Sequence, residues 1–456
     1  MSKTSKQCVL FEDQFTRPVV AAFDADALSS DGGLSLLGAL DRGLQLSRRL
    51  ASKLADHRVP GRVNHSYLEL FQQRVLGIAA GYSDGNDAQQ VAADPMMKMA
   101  VGRSPISGSD LASQPTLSRF ENAISARSVV AVGREKESFV IERLARRHRK
   151  AKVVTIDIDS TVDPAHGKQQ QIFFSGYYDT WCYQPLLAFL SVEGDPQQYL
   201  FHARLRPGNC RDARGVIPML RRTVAAIRKE FGKVTIRVRV DAGFYRPQLL
   251  EVLESLRVEY VVAMPKNKAL EARSAMLMAE ARKQAKESGV TTTLFTEFDY
   301  AAGSWPCTRR TVCKAEVLAY PGRSTKDNER YVVTNRMRPS AEAIYDWYCQ
   351  RGDSENRIKE LKLDLAIDRT SCTRFVANQL RVLMTAAAFM LFQELRWRLR
   401  TSDAGHSSVA SLRNMLIKVA VRVTESVRRI VCHMPTHHAW RALWRRAALA
   451  CGAATA

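Results

Sequence analysis

The chain has 456 residues, a hydrophobic content of 46% that is typical of a globular protein, and a formal net charge of +22 from 68 Lys and Arg against 46 Asp and Glu. The length predicts two to four structural units, and the charge favours a polyanionic partner, with nucleic acid ahead of the alternative that the protein is simply basic. Nine cysteines without a Cys-x2-Cys pair argue against a disulfide framework or a zinc knuckle, and the lack of an apolar leader or of a full-length apolar span predicts a cytoplasmic protein without a membrane segment.

An α-helical region is predicted for residues 1–147, because apolar residues recur at helical spacing from about residue 33. Residues 113–124 begin with a capping serine and an early proline, which predicts a short helix that presents Arg119 beside hydroxyl and amide groups. Such a helix suits a DNA groove, and an ordinary amphipathic surface helix is an equal alternative. We expect this region to bind DNA.

Strand signals begin at residues 152–159, Lys-Val-Val-Thr-Ile-Asp-Ile-Asp, where β-branched residues alternate with others. Two more strands, a helix, a strand, a helix and a strand follow, which is the order of an RNase H-like sheet. The fold class predicted for residues 148–264 is therefore α/β, as the first part of an RNase H-like core. The elements are strands 185–192 and 199–206, helix 213–231, strand 233–241, helix 248–256 and strand 258–264.

A helical stretch and three β-rich segments then interrupt this order, so residues 265–338 are predicted to be a β-rich insertion. Helical signals resume after Pro339. Residues 339–400 are predicted to be the second part of the core, with a helix that carries Glu355.

The last region, residues 401–456, is predicted to be helical and basic. Lys418, Arg422 and Arg429 would share one helical face and contact phosphate. A solvated surface is the usual alternative for such a run of charges.

Three acidic residues lie where an RNase H-like fold would bring carboxylates together. Asp159 ends the first predicted strand, Asp241 ends the fourth, and Glu355 lies on a helix after the fifth. Phosphodiester chemistry uses two Mg²⁺ ions about 3.5–4 Å apart, and Mg²⁺ prefers carboxylate oxygens. Asp157, on the same strand face, and Asp163 are alternatives to Asp159 as the first ligand.

The segment from Tyr348 to Lys362 has the spacing Tyr-x2-Arg-x3-Glu-x6-Lys. Together with the two strand-end aspartates, it resembles the DDE transposases of bacterial insertion sequences, in the group that carries a Tyr-Arg-Glu-Lys signature within the retroviral-integrase superfamily. The runs at 163–169 and 176–179 resemble one subfamily of these elements. The resemblance therefore extends over nearly the whole chain.

The resemblance implies that the three acids bind two Mg²⁺ ions, for which Mn²⁺ can substitute. It also implies that Arg351 and Lys362 contact DNA phosphate, and that Tyr348 contacts phosphate or a displaced base. In relatives a β-rich insertion helps to hold a DNA hairpin. Trp305 in the corresponding insertion would stack on a flipped base, although packing within a hairpin turn is the simpler alternative.

The implied function is cut-and-paste transposition. The protein would bind double-stranded DNA at terminal inverted repeats, cleave through a hairpin intermediate, and insert into target DNA as a homodimer in a synaptic complex. Two alternatives use the same surfaces, a DNA-binding repressor without catalysis and an RNase H-like nuclease that never joins strands.

Overall fold

The structure of the protein is a computed structural model that describes residues 8–11, 16–17, 19–210, 213–320 and 322–455. The chain divides into two compact units. The first unit lies within Met1–Gln45, Val63–Ser118 and Glu394–Ala456, and the second unit comprises Leu46–Arg62 and Arg119–Gln393.

Helices are the main elements before and after the central sheet along the chain. Several begin at a capping side chain. Ser340, for example, accepts a hydrogen bond from the Ala343 amide at the start of the eleventh helix. The helices are α1 (Leu34–Leu44), α2 (Leu46–Ala51), α3 (Tyr67–Ala80), α4 (Asp87–Val91), α5 (Pro95–Val101), α6 (Gln114–Ala123), α7 (Ala126–Arg147), α8 (Val216–Phe231), α9 (Pro247–Ser255), α10 (Lys268–Ser288), α11 (Ala341–Cys349), α12 (Gly352–Leu363), α13 (Phe375–Arg398), α14 (Val409–Leu412) and α15 (Arg441–Ala450).

The helix α13 is long and apolar enough to cross a membrane, but 89% of its apolar window is buried inside the protein. Burial of this kind is what a core helix shows.

The strands fall into one large sheet and three small ones. They are β1 (Cys8–Phe11), β2 (Val19–Ala22), β3 (Leu28–Ser29), β4 (Val153–Ser160), β5 (Asp163–Pro164), β6 (Phe173–Ser175), β7 (Thr180–Tyr183), β8 (Leu186–Val192), β9 (Gln198–Arg204), β10 (Thr235–Val240), β11 (Glu259–Met264), β12 (Thr292–Tyr300), β13 (Arg309–Leu318), β14 (Lys326–Thr334), β15 (Val421–Glu425) and β16 (Ile430–His433).

The large sheet has eight strands in the order β12-β13-β14-β11-β10-β4-β8-β9 and lies in the second unit. The strands β4, β10 and β11 are parallel, and the remaining neighbours are antiparallel. Its central strands are buried on both faces because helices cover them, which explains their continuous apolar runs. This mixed sheet with helical regions before and after it confirms the predicted α/β, RNase H-like fold class.

The predicted insertion is continuous with this sheet. Its strand β14 pairs antiparallel with β11, from Val261 opposite Thr334 to Met264 opposite Tyr331. The helix α10 packs on β13 through small side chains, with Ala281 and Ala315 both fully buried. The insertion therefore extends the core sheet and adds a helix to one face.

The C-terminal region differs from the predicted helical tail. The strands β15 and β16 form a hairpin there, and β15 also pairs with β3. Val421 and Val423 are buried, whereas Arg422 between them is exposed, so the segment follows the period of two of a half-buried strand. Lys418 precedes β15 and Arg429 lies in the hairpin turn. The three cations therefore do not share a helical face, which corrects that prediction.

A small sheet of β5, β7 and β6 interrupts the core between β4 and β8. These strands have two to four residues each. Strands that short carry too few alternating positions to be predicted from sequence.

Candidate active site

The two aspartates, Asp159 and Asp241, lie at one edge of the large sheet. The strands β4 and β10 are parallel neighbours, and Ile158 on one pairs with Val240 on the other. Asp159 follows Ile158 directly, and Asp241 follows Val240 directly. Because parallel strands end at the same edge of a sheet, the fold brings these acids together although 82 positions separate them in sequence (241 − 159).

Asp241 ends its strand and starts a single 3-10 turn, Ala242–Phe244. Its carboxylate accepts a hydrogen bond from the Gly243 amide at 3.0 Å. This bond orients the carboxylate at the end of the strand.

Arg351 links the first aspartate to the glutamate. Its Nη1 donates to Asp159 Oδ2 at 2.7 Å and its Nη2 donates to Glu355 Oε1 at 3.4 Å. Glu355 lies in the first turn of α12, with its side chain 57% exposed. The Ser354 hydroxyl is 3.4 Å from Asp159 Oδ2. A guanidinium cation thus lies between two of the three predicted catalytic carboxylates.

The electrostatics of this group show an excess of negative charge. Burial raises the pKa of Asp159 to about 6. The positive charge of Arg351 lowers this pKa, and the negative charges of Asp241 and Glu355 raise it further. Burial opposes the charge on Arg351, but Asp159, Tyr348 and Asp241 together outweigh burial, so the pKa of Arg351 is raised. The site therefore favours a cation between its carboxylates.

Asp157, the alternative first ligand, has a different environment. It is fully buried, and its oxygens accept two hydrogen bonds from Arg239, from Nε at 2.6 Å and from Nη2 at 2.8 Å. Gln198 donates a third at 3.1 Å. Asp163 is buried as well, accepts a hydrogen bond from Thr370 at 2.8 Å, and has a pKa that burial raises to about 8. Asp157 thus accepts three hydrogen bonds within the protein interior, whereas Asp159 interacts electrostatically with Asp241 and Glu355.

The remaining predicted signature residues lie on α11 and α12. The Tyr348 ring lies 5.9 Å from the Arg351 guanidinium, and burial raises the pKa of its hydroxyl. Lys362 donates to the Val162 carbonyl at 2.5 Å, just beyond the strand of Asp159. Tyr348 therefore lies beside the arginine of the carboxylate group, whereas Lys362 lies beyond the end of the strand that carries Asp159.

A cleft of about 900 Å³ opens beside these residues. Asp241, Tyr348 and Arg351 contribute to its wall. The cations Arg246, Lys266 and Arg330, the acids Asp327 and Glu329, and two tyrosines, Tyr177 and Tyr178, also line it. Asp241 and the arginine that contacts Asp159 and Glu355 thus line a polar groove.

The family comparison matches almost the entire chain. A family model described as Transposase DDE domain group 1 covers residues 11–452. The chain belongs to this transposase family. A comparison with curated proteins gave no match.

Membership confirms the prediction of a DDE transposase, a class of enzymes that act on DNA and generally use divalent metal ions. In the part of the transposase that the structure describes, no three His, Cys, Asp or Glu side chains are grouped tightly enough to hold a metal ion. The guanidinium of Arg351 instead pairs with both Asp159 and Glu355. The donor set of the three acids nevertheless suits a hard divalent cation.

Other predicted DNA contacts of the transposase lie apart from the carboxylates. Trp305 is 8% exposed, donates from its indole nitrogen to the Tyr245 hydroxyl at 2.9 Å, and packs under Arg309. Trp305 is therefore packed within the protein in this structure, which is the simpler of the two roles considered for it from the sequence. Arg119 is exposed on α6.

Two features of the transposase site escaped the sequence analysis. One is the pairing of Arg239 with Asp157, for which the signal was an arginine two residues before Asp241 on the neighbouring strand. The other is the pair of tyrosines in the cleft wall, which belong to the segment 176–179 noted only as a motif.

Proposed function

We propose that this transposase moves its own DNA element by metal-dependent cleavage and strand transfer, in a cut-and-paste reaction. The observation that supports the proposal is that Arg351 bridges Asp159 and Glu355, while Asp241 follows the strand next to that of Asp159 and lines a polar cleft. A DDE transposase needs three such carboxylates together.

Asp159, Asp241 and Glu355 would hold two Mg²⁺ ions, or Mn²⁺ in their place. When bound, such ions activate the attacking oxygen and stabilise the leaving oxygen of an in-line displacement. Arg351 now offsets the negative charge that the ions would neutralise. Once released from Asp159, its planar guanidinium would donate two hydrogen bonds to a DNA phosphate.

Several side chains would position DNA. Tyr348, beside Arg351, and Lys362, beyond the end of β4, would contact the scissile strand. Trp305 would stack on a base after leaving its packed position. The N-terminal helices with Arg119 and the C-terminal region would bind the terminal inverted repeats. In the C-terminal region the contacts would come from Lys418, Arg422 and Arg429, of which Lys418 now pairs with Asp31 at 2.7 Å.

The reaction would begin with a nick that frees a 3′-hydroxyl at the element end. That hydroxyl would attack the opposite strand to form a hairpin, which is then opened before insertion into target DNA. Because two ends must be handled together, a homodimer would assemble the synaptic complex, in the cytoplasm at the nucleoid.

Cleavage of a DNA duplex that carries one element end tests the proposal. With Mg²⁺, the protein should produce 3′-hydroxyl nicks and hairpins, and both products should fall at least 100-fold in Asp241→Asn and in Glu355→Gln. Asp353→Asn is the matched control, because Asp353 is an exposed acid in the same helical turn as Glu355 and should retain activity.

The products and the binding of these variants separate the alternatives. Loss of cleavage with unchanged end binding in Glu355→Gln supports the catalytic role and argues against a repressor. Nicking by the wild type without any joined product would identify a nuclease, and full cleavage by both acid variants would overturn the site.

A further inference from the structure

An exposed aromatic hairpin projects beside the candidate active site. It consists of β6, β7 and the turn 176–179 between them, and we call it the aromatic hairpin. Tyr177 at its turn is 88% exposed, and Trp181 and Phe174 on its strands are 55% and 50% exposed. Aromatic side chains this exposed leave much apolar surface in water unless they have a partner.

The base of the aromatic hairpin is firmly anchored, in contrast to its turn. Tyr183 is fully buried and donates to the Gln170 carbonyl at 2.7 Å. Gly208 lies directly against the hairpin backbone, where a Cβ atom would come within 2.1 Å of the Cys182 carbonyl oxygen. Only glycine permits this approach. The exposed rings are therefore held by a rigid support.

The four aromatic rings of the hairpin form two edge-to-face pairs. Phe174 and Trp181 are opposite each other across the strands, edge to face, with ring centroids 6.1 Å apart. Tyr177 and Tyr178 meet at 90° with centroids 4.8 Å apart. Edge-to-face pairing fixes the orientation of each ring and leaves ring faces available for another planar group.

The position of the aromatic hairpin beside the cleft indicates which kind of molecule its rings would bind. Tyr177 and Tyr178 line the same cleft as Asp241 and Arg351. Trp181 lines a neighbouring groove that also contains the exposed Lys168. A negatively charged polymer with planar bases that enters the cleft would meet these rings, and the net charge of +22 would attract it.

We infer that the aromatic hairpin binds unpaired nucleotides of the DNA end, with Tyr177 and Trp181 stacking on bases that leave the duplex beside the scissile phosphate. The inference rests on the proposed function and adds to it a binding site for single-stranded DNA. Stacking on aromatic rings accepts any base, and a strand that bends sharply at the cleavage site must lose base stacking nearby.

The test uses 2-aminopurine in the DNA end, one substitution at a time in the unpaired flank and at the terminal positions. The full-length protein carries Glu355→Gln, so the DNA stays uncut. Binding should quench the 2-aminopurine emission at one or more positions. In Tyr177→Ala and Trp181→Ala the quenching should disappear and affinity for an end with an unpaired flank should fall about tenfold.

Conservative and distant variants serve as controls. Trp181→Phe and Tyr177→Phe keep a ring and should keep most of the quenching. Tyr320→Ala removes a tyrosine that is 52% exposed and does not line the cleft, and it should change neither readout. Because Tyr177 lies at an exposed turn, its removal should leave the thermal unfolding of the protein unchanged.

Unchanged quenching and affinity in both alanine variants would overturn the inference. So would conversion of a dimer to a monomer by Trp181→Ala with the quenching retained, since the hairpin would then be a contact between protein chains. The wild-type cleavage assay stays independent. If the wild type cleaves and Asp241→Asn does not, the proposed function survives a failure of this inference.

Discussion

Asp157 and Asp159 are two residues apart on β4, yet their surroundings differ completely. Asp157 is enclosed and neutralised by the guanidinium of Arg239. Asp159 shares a single arginine with Glu355 and lies close to a third acid. A buried carboxylate that is paired with its own cation has a structural role. Clustered carboxylates with too little positive charge nearby are instead suited to bind a further cation.

This difference predicts effects of unequal size on stability for the same substitution at the two aspartates. Asp157→Asn leaves the Arg239 guanidinium buried without its counter-ion and should lower the free energy of unfolding by about 3 kcal/mol or more. Asp159→Asn should change it by less, about 1 kcal/mol, because the carboxylate it removes is itself costly to bury. Urea unfolding of both variants measures the difference.

The cleavage assay then compares the catalytic activity of the same two variants. Asp159→Asn should abolish nicking while remaining folded. A folded, inactive Asp157→Asn beside an active Asp159→Asn would assign the first ligand to Asp157 instead.

At the scale of elements, a buried lysine joins α7 to the edge strand of the large sheet. Lys136 is fully buried and donates to the Phe201 carbonyl on β9 at 2.7 Å. Burial lowers its pKa from 10.5 to about 7, and the neighbouring Glu137 opposes that shift only in part. The helix α7 is thus joined to the sheet by a hydrogen bond from Lys136, whose charged form is disfavoured by burial.

Lys136→Met should therefore alter the pH dependence of stability. Between pH 7 and 10 the unfolded chain binds the proton that the folded lysine has released, so this group makes wild-type stability rise with pH by about 1 kcal/mol per unit. The variant lacks that rise. Its free energy of unfolding relative to wild type should fall steadily from pH 7 to 10.

Urea unfolding at several pH values measures this trend. Lys229→Met is the control, because the Lys229 side chain is 82% exposed, and its difference from wild type should stay flat. An equally flat difference for Lys136→Met would show that the buried lysine keeps its ordinary proton affinity.

At the scale of the whole molecule, the net charge of +22 determines how the protein meets DNA. Contacts to phosphate release counterions, so affinity should fall steeply as salt rises. Arg422 is exposed on the outer face of the C-terminal hairpin. Arg422→Ala should weaken binding to all DNA sequences and reduce the slope of log affinity against log salt by about one.

Titrations of a labelled element end at several salt concentrations give that slope. Lys229→Ala removes an exposed cation on α8 and should leave the slope unchanged. Equal slopes for wild type and Arg422→Ala would remove the hairpin from the DNA-binding surface.

The sequence by itself determined the family and the order of the core strands along the chain, and it is the source of the proposal that Asp159, Asp241 and Glu355 are the catalytic acids. Strand periodicity and the Tyr-x2-Arg-x3-Glu-x6-Lys spacing are local properties, so they can be recognised along the chain. The short strands β5–β7 and the C-terminal hairpin were not recognised, because few residues and a basic composition conceal their alternation.

Only the tertiary structure decided what each charged group faces. The pairing of Asp157 with Arg239, the guanidinium of Arg351 between two acids, and the aromatic hairpin beside the cleft all join residues far apart in sequence. Charge interactions and burial depend on distance in space, and a single sequence specifies those distances only through the completed fold.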